Sequence, residues 1–272
     1  MAILTPQKYK KLYLQAVDNY ARKMRFEYGF MREVNSLFKG LIKDFKANYV
    51  KYGSALSLND FQKDIEELIS KHHIKVSLDF SDSFRKIVGK PSNEKLIERK
   101  LEANIKGMAA QRAHLMSHTI ADTTRFNIEK SVKDATVELA IKEAEITDKA
   151  IARMAGNYLD DKFISRSSTI GITETQFAAE SGKVLEIDTL KDFDAEIDDE
   201  PVKEMTRQKI WIAILDDHTR EAHAEADSQI VDYEDPFDVG GEELMYPGDD
   251  SMGASEGNII NCRCDSEIIL GD

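Results

Sequence analysis

Apolar residues recur every three or four positions early in the chain, at Leu12, Val17, Tyr20, Met24, Phe30, Met31, Val34, Leu37, Phe38, Leu41, Ile42, Phe45 and Tyr49. That period predicts one or two helices over residues 5–50. Thr5 followed by Pro6 marks the start, a capping side chain and then proline at the first helical position, and Gly53 and Ser54 mark the stop. Asn59 or Asp60 opens a shorter helix to about Lys71, carried by Phe61, Ile65, Leu68 and Ile69. HIKVSLDF, residues 73–80, alternates apolar and polar positions and predicts a short strand or an extended link. Ser81 or Asp82 then caps a helical turn ending near Gly89, Lys90 and Pro91. From Ser92-Asn93-Glu94 to about Met154 the chain has no proline and, as its one glycine, Gly107. Its alanine-rich stretches predict at least two helices there, and a further helical stretch follows near 157–183.

The pattern then changes. Residues 184–208 carry an acidic run and Pro201 and read as a linker. KIWIAIL, from Lys209, reads as a strand, and CRCDSEIIL at the end as a closing one. Six of the fourteen glycines follow Leu215, which suits a loop-rich small fold. The expected class is α+β: a mainly helical N-terminal body with long helices over 1–183, the linker at 184–208, and a small glycine-rich α+β C-terminal domain over 209–272.

Composition narrows the classes. No run of 18 apolar residues exists, so no membrane span is expected. MAILTPQKYK lacks the longer apolar core of a signal peptide, so retention in the cytosol is expected. The two cysteines, Cys262 and Cys264, are separated by one residue, and a disulfide between them would close a strained ring. Reduced thiols or thiolate ligands are the better reading. The net charge is −13, but residues 1–52 carry +7 and residues 176–272 carry −20. The basic segment 1–52 is a candidate for non-specific, salt-sensitive DNA contact. Its charges are spread around the helix, however, and its aromatics fit core or partner-helix packing better than base stacking.

Two stretches stand out: RSSTIGITETQFAAESG from Arg166, and WIAILDDHTREAHAEADSQ from Trp211, closed by Asn261, Cys262, Arg263 and Cys264. Together they resemble the phage head-morphogenesis family, the Mu F-like minor head proteins. The matching residues are Arg166, Ile170, Thr173, Glu174 and Thr175, then Trp211, Asp216, Thr219, Arg220, His223, Asp227 and Gln229, and finally the Asn-Cys-Arg-Cys run in full. Gly171 and Ile172 depart from the family's alanine and arginine, and Ser228 replaces its glycine. The resemblance covers about residues 120–272; the first 110 residues match no motif.

The resemblance implies a minor head protein of the virion, lying in the capsid interior and made in the host cytoplasm during assembly. It implies association with the portal protein, and with capsid or scaffold proteins, during head assembly, DNA packaging or ejection. It also implies a role for the Thr173–Glu174 segment, and the expectation is that Glu174 or Arg166 bonds into the C-terminal domain.

The residues themselves leave three readings open. His223, Cys262 and Cys264, with Asp216 or Asp227 as a fourth, have the chemistry of a zinc site. Some family members carry two further ligands where this chain has Arg220 with His223, and Ile259. Without metal, the same cluster is a structural staple, with Arg220 paired to Asp216 or Asp227 and the thiols packed as small apolar groups. A metal-dependent enzyme or toxin module is the third reading, although no metalloprotease, nucleophile-elbow or phosphate-loop motif occurs. A portal-binding scaffold or adaptor with no DNA contact is the remaining alternative to the head-protein reading. The other histidines, His72, His73, His114, His118 and His218, read as surface or core spacers.

Overall fold

The computed structural model describes residues 4–53, 57–91, 93–197 and 200–270. The class is α+β. Four long helices come first: α1 (Pro6–Tyr52), α2 (Asn59–Val88), α3 (Glu94–Ile141) and α4 (Asp148–Asp192). Short elements follow: β1 (Glu196–Ile197), β2 (Glu200–Pro201), α5 (Val202–Met205), β3 (Gln208–Ile212), α6 (Glu221–Glu225), β4 (Ile230–Asp232), β5 (Phe237–Val239), β6 (Glu242–Leu244), α7 (Glu256–Ile259) and β7 (Asp265–Ile269).

The helix ends obey local chemistry. Thr5 Oγ1 accepts the Lys8 amide at 3.2 Å and so caps α1, as its sequence position predicts. Gly53 ends the helix in the left-handed region, φ +63°, with its amide on the Tyr49 carbonyl at 2.8 Å. Thr147 caps α4 in the same way, accepting the Ala150 amide at 3.2 Å. The expected cap at Ser92 and the stop at Ser54 lie outside the described residues.

Two expectations are corrected. Residues 73–80 are not a strand; they continue α2 to Val88. Their buried positions come in helical pairs, His72 with His73, Val76 with Ser77, Phe80 with Ser81 and Phe84 with Arg85. Serines and histidines on the buried face disguised a 3.6-residue period as alternation. The linker expected at 184–208 is helical as far as Asp192, because Glu186, Ile187, Thr189 and Leu190 are buried rather than solvated.

The compact units also divide differently from the expected boundaries at 183 and 209. One unit gathers Met1–Glu27, His72–Met108 and Ile172–Asp272; the other gathers Tyr28–Lys71 and Ala109–Gly171. The glycine-rich region is therefore part of a larger unit that includes helical segments. Its short strands enclose little apolar volume alone, and a small core needs outside support.

The second unit is helical. Phe38 stacks on Phe163 with ring centroids 4.2 Å apart and meets Phe61 at 5.4 Å. Val34, Ile65, Ile69, Ala113, Leu159 and other buried residues surround them. Each such large side chain contributes roughly 1.5–3 kcal/mol on burial. Arg166 belongs to this unit. It donates to Thr124 Oγ1 at 2.6 Å and to the Ile120 carbonyl at 3.0 Å, and lies over the Phe38 ring. It therefore does not bond into the C-terminal region, contrary to expectation; burial brings its guanidinium down to about 10.

In the first unit, β3 is the centre of a three-stranded antiparallel sheet, order β4-β3-β7. Both faces of β3 are covered. Ile210 and Ile212 pack with Leu12 and Ala16 of α1, while Trp211 packs with Phe237, Leu244, Cys262 and Cys264. Period-two alternation assigns neighbouring residues to opposite cores. In the same unit α2 and α4 approach closely. Ser77 Oγ donates to the Ala178 carbonyl at 2.8 Å, and a Cβ on Gly182 would meet the Ser77 carbonyl oxygen at 2.4 Å.

Candidate functional site

The site lies wholly in the first unit and is built around β3. After β3 the chain turns at Asp216–Thr219. Thr219 Oγ1 accepts the Asp216 amide at 3.0 Å and donates to the Ile214 carbonyl at 2.6 Å, and the Asp216 carboxylate accepts the His218 amide at 2.8 Å. Burial works against the Asp216 charge, but these hydrogen bonds and Arg263 hold its carboxyl below the usual range. The turn feeds Arg220 and α6, which sets His223 inside the unit. The chain then returns along β3, with the Trp211 amide on the Gln229 carbonyl and the Ser228 amide on the Trp211 carbonyl, both at 2.9 Å.

Asp227 and Gln229 hold this return in place. Asp227 accepts the Ala213 amide at 2.8 Å and the Tyr9 hydroxyl at 2.9 Å. The Gln229 side chain accepts the Asp238 amide at 2.8 Å and donates to the Asp238 carbonyl at 3.1 Å, as a strand neighbour would. Ser228 sits at φ +66° and Asn261 at φ +57°, in the left-handed region that favours glycine and tolerates asparagine.

His223, Cys262 and Cys264 converge as the sequence suggested. Their ligand atoms all lie within 4.8 Å of one another, and all three residues are buried. His223 Nδ1 is 3.4 Å from Cys264 Sγ and 3.7 Å from Cys262 Sγ. One nitrogen facing two sulfurs is a soft donor set able to hold a metal ion. The two thiols also act on each other: the hydrogen bond from Cys264 draws Cys262 well below its ordinary value, and the same bond holds Cys264 well above.

Asp216 and Asp227 do not join this group. Arg220 does not pair with either of them; its guanidinium donates to the Ile260 carbonyl and ties α6 to the Cys-x-Cys loop. Arg263 takes the place expected of Arg220, 3.7 Å from Asp216.

The α4 motif meets this loop through Thr173. Glu174 pairs with His73 of α2 at 3.1 Å. Thr173 makes the link, its Oγ1 accepting the Asn261 amide at 3.1 Å. Beside the loop is a buried polar network that the sequence reading missed. Lys23 of α1 reaches Gln176 at 3.0 Å, Glu180 at 3.1 Å, Asp265 at 3.6 Å and the Cys264 carbonyl at 3.2 Å. Lys183 reaches Asp265, Glu180 at 3.0 Å and Glu267 at 3.9 Å. Gln15 and Asn19 of α1 donate to Glu267 at 2.5 and 2.8 Å.

Burial governs these acids. It pushes Glu180 up to about 7 and Glu267 up to about 8. Asp265 resists burial and stays low because Lys183 and Lys23 face it. One signal was available: Thr173, Gln176, Glu180 and Lys183 are spaced three, four and three apart, a polar stripe on one helical face. Comparison with family models, with curated proteins and with solved structures found no match to this chain.

Proposed function

We propose that the chain is a phage minor head protein of the Mu F-like kind, working by binding in the capsid interior and docking on the portal protein. One observation supports this above the rest. The motif residues from Thr173 to Cys264 gather in a single unit, and Ser228, where that family carries glycine, has the left-handed backbone that glycine serves best. From Thr173 onward the motif thus behaves as one structural module, while Arg166 and Ile170 belong to the second unit.

The charge distribution refines the reading. Lys8 donates to the Leu270 carbonyl and Lys23 is buried, so neither is available to DNA. Contact with phosphates from residues 1–52 falls instead to exposed Lys10, Lys11, Arg25, Arg32, Lys39 and Lys43. Co-expression with the portal protein of the same phage and affinity capture tests the reading. A stable complex is expected; failure to co-purify, with the protein also missing from mature heads, overturns it. Loss of salt-dependent DNA retention after reversing the exposed basic residues separates the DNA-handling form from a pure portal adaptor.

We also propose zinc at His223, Cys262 and Cys264. The two thiolates and the imidazole would fasten the Cys-x-Cys loop to α6, a structural role like that of other zinc staples. Metal analysis of the purified protein is expected to give about one zinc per chain, reduced by Cys262→Ser. Absence of metal from protein purified without chelator would leave the loop held by its hydrogen bonds alone. A metal-dependent enzyme is the second reading, favoured by the three-ligand set, since catalytic zinc sites keep a fourth position open. Loss of a measured hydrolytic activity on His223→Ala, with the fold intact, would establish it.

A further inference from the structure

A cavity of about 80 Å³ in the first unit is walled by α4, β3 and β7. Phe84, Val184, Ile187, Tyr233, Met245 and Ile268 make its walls largely apolar. Exposed Glu234 also lines it, so the cavity reaches the surface. The space is roughly half that of a cavity that takes up benzene, so it admits a molecule of about three or four non-hydrogen atoms. Lys209 of β3 lines the cavity and stands opposite Ile268 in the β3–β7 register, on the same side of the sheet. It is 4% exposed. Its nitrogen donates one hydrogen bond, to the Met245 carbonyl at 2.8 Å, and otherwise faces the rings of Phe237 at 5.1 Å and Tyr233 at 5.7 Å. Among the described residues no carboxylate lies within ion-pair distance of it. The other buried lysines, Lys23 and Lys183, are each held by at least two carboxylates.

We propose that Lys209 forms a reversible imine with a small neutral aldehyde taken into this cavity. The amine nitrogen attacks the carbonyl carbon, and a C=N bond replaces the C=O bond. The carbonyl oxygen leaves as water, carrying both protons of the neutral amine. No oxidant or reductant takes part. Burial without a paired carboxylate disfavours the ammonium form. It pulls the Lys209 pKa down to about 8, against the opposite pull of Glu234, Asp249, Asp235 and Asp188. Roughly a tenth of such an amine is neutral at pH 7, against fewer than about one in a thousand at the ordinary value. A protonated imine keeps one N–H for the Met245 carbonyl. The lining also selects a neutral ligand. Asp188, Glu234 and Glu267 oppose an anion, and Lys183 and Lys209 oppose a cation. None of these residues belongs to the Cys/His cluster, and the inference does not rest on the head-protein reading.

The test uses the full chain, with propanal as the probe. Cyanoborohydride traps the imine as a secondary amine, and mass spectrometry maps it. At about pH 7, Lys209 is expected to be alkylated at least about tenfold faster than exposed Lys10, Lys11 and Lys39. Its rate is expected to level off above about pH 8, while theirs goes on rising to about pH 10. Benzaldehyde, too large for the cavity, is expected to show no preference for Lys209. Val184→Phe adds bulk to the α4 wall and is expected to slow alkylation of Lys209 about tenfold, with helical circular dichroism retained. If that variant does not fold, the comparison of propanal with benzaldehyde on the unmodified chain decides. Alkylation of Lys209 no faster than that of the exposed lysines, an equal preference with benzaldehyde, or an unchanged rate in folded Val184→Phe overturns the proposal.

Discussion

The side-chain amide of Gln176 donates to the backbone carbonyl of Cys264 at 2.9 Å and to that of Pro247 at 3.1 Å. One α4 residue thus serves the Cys-x-Cys loop and the loop before it, while its oxygen accepts from Lys23. Gln176→Ala strips buried acceptors of a donor, and chemical denaturation is expected to show a loss of about 1–3 kcal/mol.

Lys183 is the cation on which the buried acids depend most. Burial opposes its charge, yet Asp265, Glu180 and Glu267 raise its pKa. Lys183→Met preserves much of the apolar stem and leaves those acids short of a cation. The expected cost is about 3–5 kcal/mol by denaturant titration, well beyond that of an exposed ion pair. A loss under about 1 kcal/mol would mean that the acids take up protons and the network tolerates the change.

His72 sets an acid limit on the first unit. It is buried against Thr175 Oγ1 at 2.8 Å, and burial pulls its pKa down to about 3. The folded state therefore holds it neutral while the unfolded chain binds a proton below about 6.5. Its contribution is present above pH 6.5 and is lost as the pH falls toward 3, at up to about 1.4 kcal/mol per pH unit. His72→Gln is expected to flatten that part of the stability profile; an unchanged slope would assign the acid sensitivity to other groups.

Ser228 pays a conformational penalty at φ +66°. Its hydroxyl sets against that a 3.3 Å contact with Asp227 and a hydrogen bond with the Tyr9 side chain. Ser228→Gly is expected to raise stability by about 0.5–1 kcal/mol, readable as a higher melting temperature. A drop would show that the contacts of Ser228 with Asp227 and Tyr9 outweigh the backbone relief.

The sequence disclosed elements whose burial follows polarity. The start of α1 at Thr5-Pro6, the strands from Lys209 and toward the C-terminus, and the meeting of His223 with the two cysteines were all legible. Polarity misled where polar residues are buried. Ser77 and Ser81 lie inside because small side chains let α2 and α4 approach, and that made residues 73–80 look like a strand. Glu180, Lys183 and Glu186 are buried because each has a counter-charge from a distant segment, Lys23, Asp265 and Arg85 respectively, and no local pattern reports such a partner. For the same reason the bonds of Arg166 to Thr124 and Ile120 were not legible, nor were those of Thr173 and Gln176 to Asn261 and Cys264.

The contact of Gly182 with the Ser77 backbone divides the chain's glycines into two kinds for anyone engineering it. Position 182 is closed to every other residue, since even a methyl group would wedge two helices apart. Gly29, Gly40 and Gly107 have open space where a Cβ would stand. Alanine at those three sites offers roughly 0.5–1 kcal/mol each of added helix stability, a route to a hardier protein for imaging that leaves the β3 region untouched.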